Sequence, residues 1–405
     1  MKILFINTFY SPYNAGGAEN SLRIIVEAMQ SNGHEVVVMS TCDKKGLHQD
    51  VVNGVKVYRA GIENSYWIYD NMIKHSFLDR LKWHIRDRYN KKMSIYVRKV
   101  VEIEKPDIAS CHNVRGWSIS IWDELKKNDI PTVQVLHDFY LLCRRGSLFN
   151  KGKVCEKRCV ECQIIKSIHR RKSQKIDAVV GVCQDILDIH VRNGYFNNAL
   201  KLAIHNVRNI PNNNIKKNYQ NAAFVFGYIG SLTEFKGVLW LIEQFKKTII
   251  PNIFLKIAGK GDKSYEDELK LCAKDDQRIA FLGYTKSEDF YSNINVLVIP
   301  SIWYEPLASV AIEACANHIP VISSGMGGLK EVIINNKNGL VCDYNNPNTL
   351  SEAMTNIAND KILYDRLRNS ARLFVNPFMD LERLMNSYER VYKEILNMHS
   401  SEFIK

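Results

Sequence analysis

Short apolar runs that empty into loops and lead on into helical stretches recur along this chain. That alternation restricts the fold more than any other feature. KILFIN is followed by the loop TFYSPYNAGGAEN, a helical stretch to about Asn32 and a second run, HEVVVMST. Leu22, Ile25, Val26 and Met29 share one face of the helical stretch, and Gly33 suits its end. Strand, helix, strand is the opening of a doubly wound α/β domain. PDIASCHN, PTVQVLHDF and DAVVGVC continue the series, and FVFGYIG, FLKIAGKGD, RIAFLGY and VLVIPS form a second set. Between the sets lies IPNNNIKKNYQN, polar and Asn-rich, which places a boundary near 210–220. A chain of 405 residues suits two domains. The layout expected is a Rossmann-like domain over 1–210, with a cysteine-rich insertion at 143–162, and a second Rossmann-like domain over 220–375. A mostly helical segment, 376–405, follows.

The net charge of +12 suits anionic partners. Residues 73–104 read as helical and basic. Lys74, Arg80, Lys82, Arg86, Arg88, Lys91, Lys92, Arg98 and Lys99 are interleaved with Phe77, Leu81, Trp83, Ile85, Tyr89 and Ile95. Such a stretch suits an anionic membrane surface. Its plainer reading is a solvated face over a core helix. No recognition motif accompanies the charge, so nucleic acid is not expected. No apolar run approaches the roughly 18 residues of a membrane span. Only four apolar residues separate Lys2 from Asn7, so no signal peptide is expected and the placement expected is cytoplasmic.

Residues 299–331 hold the chemistry-bearing spacing. A strand ends, turns through Tyr304-Glu305-Pro306 and enters a short helix, and a second strand empties into the glycines 325, 327 and 328. Ligands of open α/β sheets bind at such strand ends. Pro306 suits a first helical turn, which would place Glu305 at a helix N-terminus and Glu313 about two turns on. Two carboxylates so placed can grip hydroxyls of one extended ligand. Read plainly, Glu305 is a capping charge and Glu313 a solvated one. Lys236-Gly237 opens another helix after a glycine turn, a position suited to phosphate. Gly259-x-Gly261 lacks the spacing of a P-loop, and the Gly16-Gly17 loop is not a dinucleotide fingerprint.

The E-x7-E spacing, with Pro306 after the first Glu, resembles the signature of the family 4 retaining glycosyltransferases. The resemblance implies the GT-B fold: two doubly wound Rossmann-like domains with an interdomain cleft, and a C-terminal helix crossing back to the first domain. It implies transfer of a hexose from a UDP- or GDP-sugar to a hydroxyl acceptor, with no cofactor for catalysis. The acceptor suggested by the basic stretches is a lipid-linked glycan at the inner face of the plasma membrane, as in polysaccharide or O-antigen biosynthesis. By the same resemblance Glu305 faces the donor sugar and Glu313 the ribose. Lys236 takes the diphosphate, and His137 of the VLHD run hydrogen-bonds the sugar. Gly16, Gly17, Ser231, Gly283, Leu307 and Ala308 complete the donor side, and His112 and Asn113 lie on the acceptor side. The family pattern G-R-x4-K-G has Ser231 in place of its Arg, the best support for a non-catalytic nucleotide-sugar-binding scaffold as the alternative. A GT-B phosphorylase or epimerase is a further alternative.

Four of the ten cysteines, Cys143, Cys155, Cys159 and Cys162, fall within twenty residues. The last three read C-x3-C-x2-C, an iron–sulfur spacing of radical enzymes, but the two-domain pattern around them argues against that. Four thiolates suit a structural zinc site, and reduced unligated thiols are the alternative. Disulfides are not expected in the cytosol.

Overall fold

The computed structural model describes residues 1–14, 16–69, 75–210 and 223–402. All of the proposed linker after Ile210, and Lys74, lie outside the described residues. The chain forms two compact units, one of Met1–Leu148, Glu156–Val207 and Leu381–Lys405, the other of Phe149–Cys155 and Arg208–Asp380. The boundaries thus fall after Val207 and Asp380, and a short piece of the cysteine-rich insertion belongs to the second unit.

The first unit is built on an eight-stranded sheet. From edge to edge its strands are Leu200–Ala203, Ala178–Gly181, Thr132–Leu136, Ile108–Cys111, Lys2–Ile6, Glu35–Cys42, Val55–Gly61 and Leu47–Val52. All neighbours are parallel except the last pair, an antiparallel hairpin. Ile3 to Ile6 are fully buried, as strands covered on both faces require. The helix Gly17–Ser31 buries Leu22, Ile25, Val26 and Met29, the stripe read from the sequence. The basic stretch is two helices, Phe77–Asp87 and Lys91–Glu104. Ser76 and Asn90 each accept a backbone N–H of the first turn that follows, so each starts its own helix. Glu104, almost wholly buried, accepts from Lys2 and Lys56 at 2.9 Å and from the Tyr58 hydroxyl at 2.6 Å. The last helix, Leu381–Glu402, is fastened by Glu389 to His34 at 3.0 Å, by Tyr392 to Ser110 at 3.1 Å and by His399 to Asp177 at 3.0 Å.

The second unit carries a six-stranded, wholly parallel sheet. Its order is Ile279–Gly283, Ile253–Ala258, Phe224–Ile229, Val296–Ile299, Val321–Ser323, Gly339–Val341. The helix Ser309–Ala316 is apolar almost all round, and Ala311, Ile312, Ala314 and Cys315 sink into a core with Leu297, Val321, Leu329, Ala371 and Val375. A helix apolar on every side has no face to give to water and must be covered. Small side chains let it sit close to the sheet, which fixes the loops at its two ends.

Candidate functional site

In the second unit Lys236 and Glu305 meet. Lys236 Nζ donates to Glu305 Oε1 at 2.5 Å, and Ser301 Oγ donates to the same oxygen at 2.7 Å. Glu305 is only 4% exposed. Burial alone would push its carboxyl up. The Lys236 ammonium and the Ser301 hydroxyl outweigh that and hold it below the ordinary value of 4.5. Lys236 also lies over the Trp303 ring, 5.4 Å from its centroid. The lysine is aimed by Gly237, whose φ of +71° turns the chain from the 3-10 turn Glu234–Lys236 into the helix Val238–Lys246. A Cβ there would come within 2.0 Å of the Pro300 carbonyl, so only glycine lets this turn approach the strand end.

Glu305 does not sit at a helix N-terminus. The helix begins at Ser309, with Ala308 as its cap. Glu305 instead forms a bridge with Gly327, and its carbonyl accepts from the Gly328 N–H at 2.6 Å. This pairing holds Glu305 against the glycine loop, and the helix starts only at Ser309, against the local preference of Pro306 for a first helical turn. It also occupies the Gly328 amide, while the Gly325 amide donates to Ser323 Oγ at 3.1 Å. The glycine loop is therefore a wall behind Glu305 more than an open row of donors. At Gly327, φ is +65° and a Cβ would lie 2.4 Å from the Glu305 carbonyl oxygen, so the bridge depends on glycine.

Glu313 is half-buried and accepts from the Tyr291 hydroxyl at 3.1 Å. Burial pushes its carboxyl up, against Tyr291 and the nearby Arg208 guanidinium, which favour the ionised form. Arg208 donates to Ser309 Oγ on the same helix. Ser231 is exposed, and its carbonyl accepts from the Tyr228 hydroxyl at 2.8 Å. Gly283 is exposed at φ +65° and its carbonyl accepts from the Gly259 N–H at 2.8 Å. Leu307 and Ala308 occupy the turn between Glu305 and the helix. A cavity of about 1040 Å³ in this unit is lined by Thr233, Glu234, Gly237, Trp240, Tyr265 and Tyr344 among others, and does not include Glu305, Lys236 or Glu313.

In the first unit the two histidines named from the sequence come together. His112 follows the strand Ile108–Cys111, His137 follows its neighbour Thr132–Leu136, and His112 Nδ1 lies 2.8 Å from His137 Nε2. Both are buried, and burial with the facing His137 ring holds His112 well below its ordinary pKa, hence neutral. Asn113 donates its backbone N–H to Asn7 Oδ1 at 2.9 Å, and its side chain bonds Glu19. Glu19, in the first turn of the helix Gly17–Ser31, is 8% exposed, and burial and Asp138 push its carboxyl up. Burial likewise raises Asp138, whose carboxylate accepts from the Tyr140 N–H at 2.7 Å. Sequence reasoning passed over Glu19. Its signal was an acid placed directly after the glycine pair at a helix start. Gly16 precedes that helix, and a Cβ there would meet nothing within 4 Å, so its surroundings are open. Gly17 is the first helical residue.

The four clustered cysteines are divided. Cys155 belongs to the second unit, and Cys143, Cys159 and Cys162 to the first. The Cys162 thiol hydrogen-bonds Cys143, which lowers the latter's pKa. Among the described residues no group of three or more His, Cys, Asp or Glu side chains is arranged to hold a metal ion.

Two family models match the chain, "Glycosyltransferase Family 4" over residues 15–202 and "Glycosyl transferases group 1" over residues 209–374. An uncharacterised 42.6 kDa protein in the cps region of Klebsiella pneumoniae is 29% identical over 334 residues, 82% of this chain and 87% of the other. An uncharacterised glycosyltransferase of Methanocaldococcus jannaschii is 25% identical over 98% of this chain and 99% of its own. The capsular polysaccharide biosynthesis glycosyltransferase CapM of Staphylococcus aureus is 25% identical over 46% of this chain and 51% of its own. Among solved structures, sucrose-phosphate synthase of Thermosynechococcus elongatus superposes with a TM-score of 0.74 at 17% identity, covering 98% of this chain and 99% of the other. Anabaena HepE in complex with UDP and glucose superposes with a TM-score of 0.71 at 16% identity, covering 97% and 99%.

Proposed function

We propose that this chain, whose two halves match the group 1 and family 4 glycosyltransferase models, is a retaining hexosyltransferase of polysaccharide biosynthesis. It would take a UDP- or GDP-sugar as donor and a lipid-linked glycan as acceptor. The observation that carries the reading is the ion pair of Lys236 with the buried Glu305, with Glu313 on the helix Ser309–Ala316 that follows. In this reading Lys236 meets the leaving diphosphate and Glu305 the donor sugar, while Glu313 takes the ribose hydroxyls. Stabilising charge that develops on a departing phosphate is electrostatic catalysis, and a cation already fixed by Glu305 needs little reorganisation. His137 donates a hydrogen bond to the sugar or to developing charge. The step is a front-face displacement in which the leaving phosphate takes the acceptor proton. The capsule-related relatives support the polysaccharide assignment, and the neighbour holding UDP and glucose supports a uridine donor.

Thermal melting with UDP, GDP, ADP and CMP tests this. A ligand at about 100 times its Kd adds roughly 2.7 kcal/mol of stability. The expected result is an upward shift with UDP or GDP that Lys236→Ala abolishes, and a fall in turnover of at least about tenfold in Lys236→Ala and Glu305→Ala, or about 1.4 kcal/mol of barrier. Wild-type turnover in both variants would sink the mechanism. A nucleotide shift without turnover in the wild type would favour the scaffold reading, which Ser231 supports: it is exposed and offers only a hydroxyl where the family pattern has a guanidinium.

The same reading places the protein on the cytoplasmic face of a membrane. The helix Phe77–Asp87 leaves Phe77, Leu78 and Ile85 more than half exposed beside Arg80, Lys82 and Arg86. That mixture suits an anionic bilayer surface. Among the described residues no helix is long and apolar enough to cross a membrane. Sedimentation with phosphatidylglycerol vesicles should capture the protein at low salt and release it at about 0.5 M, where screening is short-ranged. Equal capture by neutral phosphatidylcholine vesicles would contradict it.

A further inference from the structure

His137 is the end of a hydrogen-bonded chain that starts on the last helix. Ser110 and His112 are two residues apart along one strand and its extension, so they share a face. Tyr392 of the helix Leu381–Glu402 lies against that face, its hydroxyl 3.1 Å from Ser110 Oγ. Ser110 Oγ is 3.2 Å from His112 Nε2, and His112 Nδ1 is 2.8 Å from His137 Nε2. Tyr392, Ser110 and His112 are each no more than 1% exposed. A cavity beside the histidine pair amounts to about 10 Å³, room for one water at most, so solvent cannot replace the protein partners.

The direction of the protons follows from satisfying every donor. The Tyr392 hydroxyl has Ser110 as its hydrogen-bond partner, so its proton goes there. Ser110 then gives its own proton to His112 Nε2. With Nε2 accepting, the neutral His112 carries its proton on Nδ1 and donates it to His137 Nε2. In the reverse direction His112 Nε2–H would donate to Ser110 Oγ, and one of the two buried hydroxyl protons, of Ser110 or of Tyr392, would lose its acceptor in the chain, which folded proteins avoid.

We infer that Tyr392, Ser110 and His112 are positioning residues that lock His137 in the tautomer protonated on Nδ1, so that its ring accepts from His112 at Nε2 and carries its one donor on Nδ1. The inference rests on the role proposed for His137 and gives it a chemical character. The Nε2 lone pair is occupied by His112 and Nδ1 carries the proton, so a neutral His137 has no site left for a substrate proton. The proton released by an acceptor hydroxyl must go elsewhere, as a front-face displacement onto the leaving phosphate requires.

The test is the tautomer itself. In protein labelled with nitrogen-15 and carbon-13 at histidine, the His137 signals are assigned by their loss in His137→Phe. The expected wild-type spectrum shows His137 protonated on Nδ1 with an unprotonated Nε2. In Ser110→Ala the population on Nδ1 should fall by at least about half, since His112 no longer has a donor facing Nε2. Tyr392→Phe, which keeps the strand intact, should move it in the same direction. A wild-type His137 protonated on Nε2, or a spectrum unchanged in Ser110→Ala, would overturn the relay. The wild-type spectrum decides even where a variant fails to fold. A spectrum as expected from a protein that no nucleotide stabilises would leave the relay standing and remove the catalytic reading instead.

Discussion

Lys236 answers the burial of Glu305. A carboxylate 4% exposed cannot stay ionised without a partner, and Lys236 supplies it at 2.5 Å. Removing one member of a buried pair costs more than removing both. Lys236→Ala should therefore destabilise the protein by about 3 kcal/mol, and Lys236→Ala with Glu305→Gln should recover at least about half of that. Urea melts of the three proteins give the answer, and an equal loss in the double variant would mean the pair is not coupled. If substrate phosphate takes over the lysine, Glu305 must find its compensation in the sugar hydroxyls. The sequence showed both residues but not their contact, because the strand ends that carry them are about seventy residues apart in sequence. It misplaced the helix start for a related reason. Pro306 is a local signal, and the bridge from Glu305 to Gly327 that overrules it is not.

At the level of elements, the parallel strands could be read directly, since a strand covered on both faces is written as an unbroken apolar run. The outer hairpin, Leu47–Val52 with Val55–Gly61, went unread although Asn53-Gly54 between two Val-rich runs is its signal. The edge strand Leu47–Val52 is largely exposed and lacks the apolar density of the central ones. Glu104 ties three elements by accepting from Lys2, Lys56 and Tyr58. Burial would raise its carboxyl, but the Tyr58 hydroxyl and the two ammonium groups overcome that and hold it down at about 2. A depressed folded pKa means the contribution is fully present above the ordinary value of 4.5 and is lost as the pH falls toward 2. Glu104→Gln should cost about 2 kcal/mol at pH 7. The gap between variant and wild type should close between pH 4.5 and 2. A gap that stays constant down to pH 2.5 would contradict the assignment.

Across the whole molecule, the first unit is assembled from three pieces of chain and the second from two. Of this interleaving, composition showed the boundary near 210, while the return of 376–405 to the first unit was read only from the family resemblance, because a linker has a composition and a long-range return does not. Deleting residues 381–405 removes the partners of His34, Ser110 and Asp177 together. Calorimetry of that truncation should show the first unit melting at least about 10 °C lower and the second unit little changed. Equal shifts in both would mean that the helix stabilises more than the unit it packs in. The order of the pieces also governs how the protein is made. Residues 381–402 leave the ribosome after the entire second sheet, yet the first unit needs them to cover Ser110 and its strand. The earlier-synthesised half must therefore wait, its sheet partly bare, until the chain beyond the second sheet has emerged, and a chaperone that shelters that face during translation has a defined interval in which to act.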